Sequence, residues 1–393
     1  MVSTGTGGHA SRLSAVRREE ERVTPLELLF DLVFVLALTQ CTALMAARPE
    51  WEGLGQGLLV LGVLWWAWVG YAWLTSVVDP EEGSVRTVMF VAMAAFLVVA
   101  LCVPDAFDDL GLTFAAAYGV VRVAHIALFL LASRDDDALR RSVWGLAVST
   151  AVGVSLLIGA SFLDGAAQGG LWAFALLLDM AGPFLFGAEG WKLVPGHFAE
   201  RHGLIVIIAL GESVVAIGVG AEVGVTVGVV VAAVLGIGLV AAMWWAYFDV
   251  VSLVAARLLA QEPEGRQRNE MARDAYSYLH FPMVAGIVLV ALGLKSTLHD
   301  VSDPLEIVTS VALVGGLATY LLAHVAFRLR TKRSVNKERL LLAVVLLALL
   351  PAARALPALA TLAGVTGLVW LLITYETIRF ADFRDRVRHE PAR

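Results

Sequence analysis

Twelve apolar runs, each long enough or nearly long enough to cross a bilayer, leave this 393-residue chain few folds other than a helical membrane bundle. Charged residues make up 16% of the chain, against roughly 25% in soluble domains. The sequence therefore predicts an all-α integral membrane protein with about 12 transmembrane helices. The runs lie at roughly 24–45, 54–77, 86–103, 112–132, 142–163, 168–188, 203–219, 225–254, 273–295, 305–328, 338–351 and 357–378.

The Lys and Arg residues between these runs alternate strongly from one side to the other. If the N-terminus lies in the cytoplasm, the inner connections and tails carry 25 Lys and Arg residues and the outer connections carry 3. Cytoplasmic loops of membrane proteins are enriched in positive charge. The pattern therefore predicts an even number of spans, with both termini cytoplasmic.

Four segments of the first half of the chain recur in the second half, in the same order and at offsets of 179 to 199 residues. Because six helices return a chain to its starting side, we expect two parallel six-helix repeats, at 23–190 and 191–380, between tails at 1–22 and 381–393. His125 and His324 occupy equivalent positions. The matched pairs are Glu21-Arg22 with Glu200-Arg201, 65–68 with 244–247, 124–127 with 323–326, and 171–179 with 368–376.

Ionisable residues inside the apolar runs are the main candidates for function, because a charge in hydrocarbon costs several kcal/mol unless it is compensated. Their depths predict a polar cavity that opens toward the cytoplasm and narrows at the midplane. The ten residues are Glu27, Asp31, Arg122, His125, Asp179, Glu212, Asp249, His280, His324 and Glu376.

Structural interpretations of these residues remain open beside the functional ones. Glu27 could reach the inner interface with its side chain, whereas Asp31 is deeper and too short to do so. Arg122 and Asp179 could form a salt bridge or bind substrate. The two equivalent histidines, His125 and His324, could be packed, hydrogen-bonded side chains or could handle protons.

Glu212 lies about nine residues into its run, roughly 13 Å from the start at 1.5 Å per residue. We expect Glu212 and Asp31 to converge in one cavity reached from the cytoplasm, with His197 and Arg201 lining its mouth. Gly211 and Ser213, the two neighbours of Glu212, permit a close approach or a local helix break.

The sequence motifs of common enzyme classes are absent. There is no nucleotide-binding loop, no dinucleotide fingerprint, no Cys-pair or His-Glu-x-x-His metal site and no Gly-x-Ser-x-Gly nucleophile. We therefore predict no cofactor and no metal. The basic residues lie in short loops, so nucleic-acid binding is not expected.

Two segments resemble signatures of the bacterial low temperature requirement protein A family. Residues 22–39 (Arg-Val-Thr-Pro-Leu-Glu-Leu-Leu-Phe-Asp-Leu-Val-Phe-Val-Leu-Ala-Leu-Thr) resemble the opening signature, and 197–213 (His-Phe-Ala-Glu-Arg-His-Gly-Leu-Ile-Val-Ile-Ile-Ala-Leu-Gly-Glu-Ser) resemble the second. The resemblance implies a polytopic protein of the bacterial inner membrane and no settled reaction, since the family is named for a growth requirement. The motif residues carried over are Glu27, Asp31, His197, Glu200, Arg201, Glu212 and Ser213.

The preferred hypothesis is a proton-coupled secondary transporter or permease, with the substrate between the halves and coupling through Glu212, Asp31 and His125. The alternative is a membrane-embedded enzyme that acts on a lipophilic substrate, with Asp31 and Glu212 as acid and base. A non-catalytic membrane scaffold is a third interpretation. The expected partners are the lipid bilayer and an unidentified small molecule or ion, and association into a homo-oligomer is left open.

Overall fold

The computed structural model describes residues 22–81, 83–185 and 191–389, and within them the chain forms helices and no β-strand. The tails predicted at 1–22 and 381–393 therefore lie partly outside the described residues. Two π-helical turns, Ala272–Tyr278 and Val311–Gly315, join α10 to α11 and α12 to α13. The α-helices are α1 (Pro25–Ala47), α2 (Trp51–Thr75), α3 (Gly83–Cys102), α4 (Gly111–Ala132), α5 (Asp137–Ala160), α6 (Gly165–Leu185), α7 (Pro195–Gly220), α8 (Val227–Phe248), α9 (Val251–Gln261), α10 (Arg266–Met271), α11 (His280–His299), α12 (Ile307–Ser310), α13 (Gly316–Lys332), α14 (Lys337–Ala348), α15 (Leu350–Ala353), α16 (Ala358–Arg379) and α17 (Ala381–His389).

Ten helical segments in the described part of the chain are long and apolar enough to cross a membrane: α1 to α5, α7, α8–α9, α10–α11, α12–α13 and α16. The sixth and eleventh predicted spans are not among them. Helix α6 has 21 residues but contains Gln168 and Asp179. Helix α14 has 12 residues and stops before Pro351, whose ring and missing N–H interrupt a helix. The membrane-spanning helical fold is confirmed, and the count of twelve stays a prediction.

Two boundaries differ from the predicted ones. The run predicted at 225–254 breaks after Phe248, and a separate helix begins at Val251. The run predicted from 273 is part of a longer helix that begins at Arg266. Both differences fall on polar residues at the ends of apolar runs, where hydropathy does not reveal whether a helix continues.

Neighbouring helices pack in the same order in the two halves. In the first half, α1 packs on α2 and α3, α3 on α4, α4 on α5 and α5 on α6, and α6 returns to α2. In the second half, α7 packs on α8 and α11, α11 on α13, α13 on α14 and α14 on α16, and α16 returns to α8. The halves meet where α1 and α2 contact α7 and α11. This junction lies at the centre of the core.

Candidate functional site

The first turns of α1 and α7 bring two acids and two bases together at the junction of the halves. His197 Nε2 lies 2.8 Å from Glu27 Oε1, and Arg201 lies 3.0 Å from Glu27 and 2.8 Å from Asp31. All four side chains are completely buried. We call these four residues, Glu27, Asp31, His197 and Arg201, the central cluster.

Helical spacing accounts for the geometry of the central cluster. Each helix contributes two residues four positions apart, and such residues share one helix face. Thr24 caps α1 in a capping box, in which Glu27 accepts hydrogen bonds from the backbone N–H (2.9 Å) and hydroxyl (3.1 Å) of Thr24. Glu27 therefore fixes the start of α1 and also pairs with α7.

An aromatic side chain from α2 completes the surroundings of the central cluster. Trp68 Nε1 donates a 2.9 Å hydrogen bond to Asp31 Oδ1, and the Arg201 guanidinium lies 5.6 Å from the centre of the Trp68 ring. The second carboxylate oxygen of Asp31 has no hydrogen-bond partner. The cluster is thus tightly enclosed, with one acceptor left unused.

The central cluster holds two carboxylates, one guanidinium and one imidazole without solvent exposure. Two carboxylates and one guanidinium leave one net negative charge, and protonation of His197 cancels it. In a completely buried site an uncompensated charge is costly. The two bases of α7 therefore compensate the two acids of α1 where these helices pack.

The expected position of His197 and Arg201 at a cytoplasmic mouth is wrong, because both side chains are fully buried in the central cluster. The attraction of two carboxylates in a helix junction draws both bases inward. Glu200, on another face of α7, is exposed and accepts a 3.3 Å hydrogen bond from the backbone N–H of Val23.

Glu212 does not converge with Asp31. Glu212 is buried farther along α7 and accepts a 2.5 Å hydrogen bond from the hydroxyl of Thr39. Thr39 lies eight residues beyond Asp31 on α1, a separation of about 12 Å along a helix. Ser213 is buried, and its hydroxyl has no hydrogen-bond partner.

A buried ion pair lies within the first half. Arg122 lies 3.0 Å from Asp179, and it also donates to the Thr150 hydroxyl (2.6 Å) and to the Trp66 carbonyl (3.4 Å). Arg122 and Asp179 therefore form an ion pair, which is one of the two interpretations that the sequence leaves open. His125, one turn along α4 from Arg122, is buried and lines a cavity of about 60 Å³ together with Arg122 and Trp66.

A corresponding ion pair lies in the second half. Glu376, which aligns with Asp179, accepts two hydrogen bonds from Arg339, of 3.0 and 2.8 Å. Arg339 also donates to the carbonyl of Ala246, at 3.0 Å. His324 is buried and lines a cavity of about 380 Å³ beside this pair. Sequence reasoning missed Arg339 as a buried residue, although the alignment of Glu376 with Asp179 signals that an arginine partner is needed.

A third polar group in the core consists of His202, Tyr247, Tyr276 and His280. The Tyr247 hydroxyl lies 2.8 Å from His280 Nε2, and the His280 Nδ1 lies 3.0 Å from the Ala275 carbonyl, within the π-helical turn. The rings of His202 and His280 are 5.2 Å apart. His202 is absent from the predicted set because its neighbourhood in the sequence gives no sign of depth.

Among the described residues, no group of three or more His, Cys, Asp or Glu side chains is placed to hold a metal ion. Cys41 and Cys102 are separate buried thiols. The chemistry available in this part of the chain is therefore that of ion pairs, histidines and hydroxyls.

Comparison with known proteins matches the region that contains both sequence signatures to one bacterial family. The profile of the bacterial low temperature requirement A protein (LtrA) family matches residues 22–374, which include the central cluster and the Arg122–Asp179 pair. An uncharacterised protein of Rhizobium meliloti (strain 1021) is 28% identical over 296 residues, which cover 72% of each chain. No solved structure matches this chain. The chain belongs to the bacterial low temperature requirement A protein family.

Proposed function

We propose that this chain is a proton-coupled secondary transporter of the bacterial inner membrane, built from two parallel six-helix repeats with both termini in the cytoplasm. The observation that carries the proposal is the central cluster. It joins the two halves and changes its net charge by one unit when a single proton binds.

The coupling follows from the location of the central cluster. In transporters built from repeats, one half moves against the other around a site at their interface. With His197 protonated the cluster is neutral, and the close packing of α1 on α7 carries no uncompensated charge. Loss of that proton leaves one buried negative charge, which favours an arrangement in which α1 and α7 separate and water or substrate reaches the carboxylates.

Three observations support the parallel repeat. The order of helix neighbours is the same in the two halves. The ion pairs Arg122–Asp179 and Arg339–Glu376 use aligned acids. Contacts between α1 and α7 also keep a nearly constant separation in sequence, from 170 residues at His197 and Glu27 to 173 at Glu212 and Thr39, so the two helices run in the same direction.

The membrane-enzyme alternative has less support. An acid and base acting together would need Asp31 and Glu212 within reach of one substrate atom, but Glu212 binds Thr39, which lies about two helical turns beyond Asp31 on α1. In the described part of the chain, no other arrangement of a nucleophile with a base is apparent around the central cluster.

Transport is tested with purified protein in proteoliposomes that contain a pH-sensitive dye. An inward proton gradient is imposed, and external Na⁺, K⁺, Mg²⁺, amino acids and small carboxylates are added in turn. We expect one class to change the rate of internal acidification. His197→Gln keeps hydrogen-bonding capacity but cannot bind the proton, so it should abolish that change and leave the protein monodisperse in detergent.

His299→Gln is the matched control, because His299 lies exposed at the end of α11 and should leave the rate unchanged. If His197→Gln shows the proton dependence of the wild type, the central cluster is not the coupling element. If no solute class alters acidification in the wild type, the transport proposal fails.

The topology is tested separately by fusing a reporter that is active only outside the cytoplasm after residue 393. Twelve spans give no signal. A strong signal would contradict an even number of spans with both termini in the cytoplasm.

A further inference from the structure

The cavity beside His324 has features that neither the central cluster nor the transport proposal uses. It has a volume of about 380 Å³ and lies between the ends of α8, α13, α14 and α16, with α9 and α17 alongside. We call it the second-half cavity. It differs from the other cavities and clusters because unpaired polar atoms, unpaired cations and apolar walls meet in one space.

Two polar atoms face the second-half cavity without a partner. His324 is 1% exposed, and its Nδ1 lies 2.8 Å from the Tyr320 carbonyl, which can only accept a hydrogen. The ring hydrogen is therefore on Nδ1, and Nε2 offers a lone pair to the cavity. Neither His324 Nε2 nor the indole N–H of Trp245 has a hydrogen-bond partner. Buried polar atoms in folded proteins rarely lack partners, so a ligand that reaches these two lining side chains would satisfy one acceptor and one donor.

The mouth of the second-half cavity carries two positive charges. His324, Arg328 and Lys332 follow one another at intervals of four residues on one face of α13. Arg328 donates to the Ser334 hydroxyl at 3.0 Å, and Lys332 Nζ lies 4.8 Å from the centre of the Phe383 ring. In the described part of the chain, neither cation has a carboxylate within salt-bridge distance.

The other charges that line the second-half cavity are already compensated. Arg339 pairs with Glu376 at 2.8 Å, and Arg384 pairs with Asp249 at 2.5 Å. The excess charge is therefore positive and is concentrated at Arg328 and Lys332. An anion could lie between these two cations without displacing an existing ion pair.

Between these charged side chains, much of the wall of the second-half cavity is apolar. A ligand that fills it must therefore combine an anionic group with an apolar portion. Basic pockets between membrane helices recognise the headgroups of anionic lipids by this combination. The apolar lining residues include Val250, Val254, Ile373, Phe380 and Phe383.

We propose that the second-half cavity binds a phosphate ester joined to an apolar chain. The phosphate lies between Arg328 and Lys332, a ligand hydroxyl donates to His324 Nε2, and a ligand oxygen accepts from the Trp245 N–H. This proposal is independent of proton coupling at the central cluster. A phospholipid with a hydroxylated, anionic headgroup has this chemistry, and so does a soluble glycerol phosphate that carries a short acyl chain.

Binding is tested on the full chain purified in detergent, by titration with phosphatidylglycerol, phosphatidylcholine and a short-chain acyl glycerol phosphate, with the thermal unfolding midpoint as readout. We expect the two anionic ligands to raise the midpoint and phosphatidylcholine to leave it unchanged. The double variant Arg328→Gln/Lys332→Gln should bind phosphatidylglycerol about 30-fold more weakly, from roughly fivefold per cation at a membrane surface.

The matched control is Arg333→Gln/Lys337→Gln, which removes two positive charges just beyond the end of α13, at positions that do not line the cavity. It should bind within about twofold of the wild type. Because all four positions are on the surface or at exposed helix ends, we expect both variants to unfold at the wild-type temperature without ligand.

Stabilisation by phosphatidylglycerol alone identifies a lipid site, and stabilisation by the soluble ester as well identifies a site open to water. Either result supports the proposal. Equal stabilisation by phosphatidylcholine, or equal weakening in both double variants, would show that charge acts without the cavity and would overturn it.

Discussion

Each half contains a buried ion pair and a buried histidine, but the two ion pairs have different surroundings. In the first half, Arg122 and Asp179 have side chains that are 2% and 6% exposed, and the adjacent cavity holds about 60 Å³. In the second half, the Arg339–Glu376 pair borders a cavity of about 380 Å³ whose mouth is exposed. Arg122 thus lines a small cavity and Asp179 does not, whereas both Arg339 and Glu376 line the larger cavity.

The difference between the two cavities indicates which half has room for a ligand. Asp179 is not among the residues that line the first cavity, whereas Trp73 from α2 and Trp191 before α7 line it with their rings 5.6 Å apart. Glu376 lines the second-half cavity directly. We therefore expect the first half to act as a rigid scaffold and the second half to accept ligands.

The strongest way to break the comparison is to remove the arginine from each pair. Arg122→Met leaves Asp179 buried without a counter-charge, and we expect it to lower the free energy of unfolding by about 3–5 kcal/mol. Arg339→Met leaves Glu376 beside a cavity where water can solvate it, and we expect a loss of about 1–3 kcal/mol. Unfolding free energies from titration with a denaturing detergent measure both.

Arg140→Met is the control for these two variants, because Arg140 forms an exposed pair with Asp137 and its loss should cost no more than about 1 kcal/mol. If Arg122→Met and Arg339→Met lose equal stability, the two ion pairs have equivalent surroundings and the contrast between the halves is wrong.

The spacing of charged residues within helices was predictable, and the register between helices was not. Glu27 with Asp31 is visible in the sequence as a pair on one helix face, and the partnership of Arg122 with Asp179 follows from the cost of buried charge. Asp31 faces Arg201 and not Glu212, because residues in contact between α1 and α7 are about 170 positions apart in the sequence. The similar segments of the two halves are 179 positions apart at this point. A single sequence does not reveal the separation between contacting residues of α1 and α7.

Burial of His197 and Arg201 was unpredictable for a related reason. Both residues precede the apolar run predicted at 203–219, so hydropathy assigns them to a loop, but α7 begins at Pro195. The helix extends into the polar segment, and the acids of α1 provide the partners that make burial of a guanidinium tolerable. A prediction of membrane spans from the length of apolar runs does not take account of ion pairs between helices.

A second test adds a methyl group at Gly70, which lines the cavity of the first half. A Cβ atom at Gly70 would lie 2.8 Å from His125 Cε1, closer than real Cβ contacts, so the histidine ring must shift. We expect Gly70→Ala to lower the free energy of unfolding by about 1–3 kcal/mol, the usual cost of overpacking a core. At the repeat offset of 179, the residue in the second half is Asp249, which lines the larger cavity.

Gly211→Ala is the control for Gly70→Ala, because a Cβ atom there meets no other atom within 4 Å. It should be neutral or should stabilise the helix by up to about 1 kcal/mol. An unchanged stability for Gly70→Ala would mean that the first half is loose enough to repack, and the closed-scaffold interpretation would fail.

The smallest expected change in stability comes from the tryptophan motif that occurs in both halves, because its two copies are buried to different extents. Trp65 is completely buried, and its indole N–H donates a 2.8 Å hydrogen bond to the Ser277 carbonyl, a contact between the halves. Its counterpart Trp244 is 44% exposed. Trp65→Phe should cost about 1–2 kcal/mol, because it leaves a buried carbonyl unpaired, whereas Trp244→Phe should change stability by less than about 0.5 kcal/mol. If the two variants lose the same free energy of unfolding in the detergent titration, the motif has one structural role in both halves. The difference between the halves would then concern only the ion pairs.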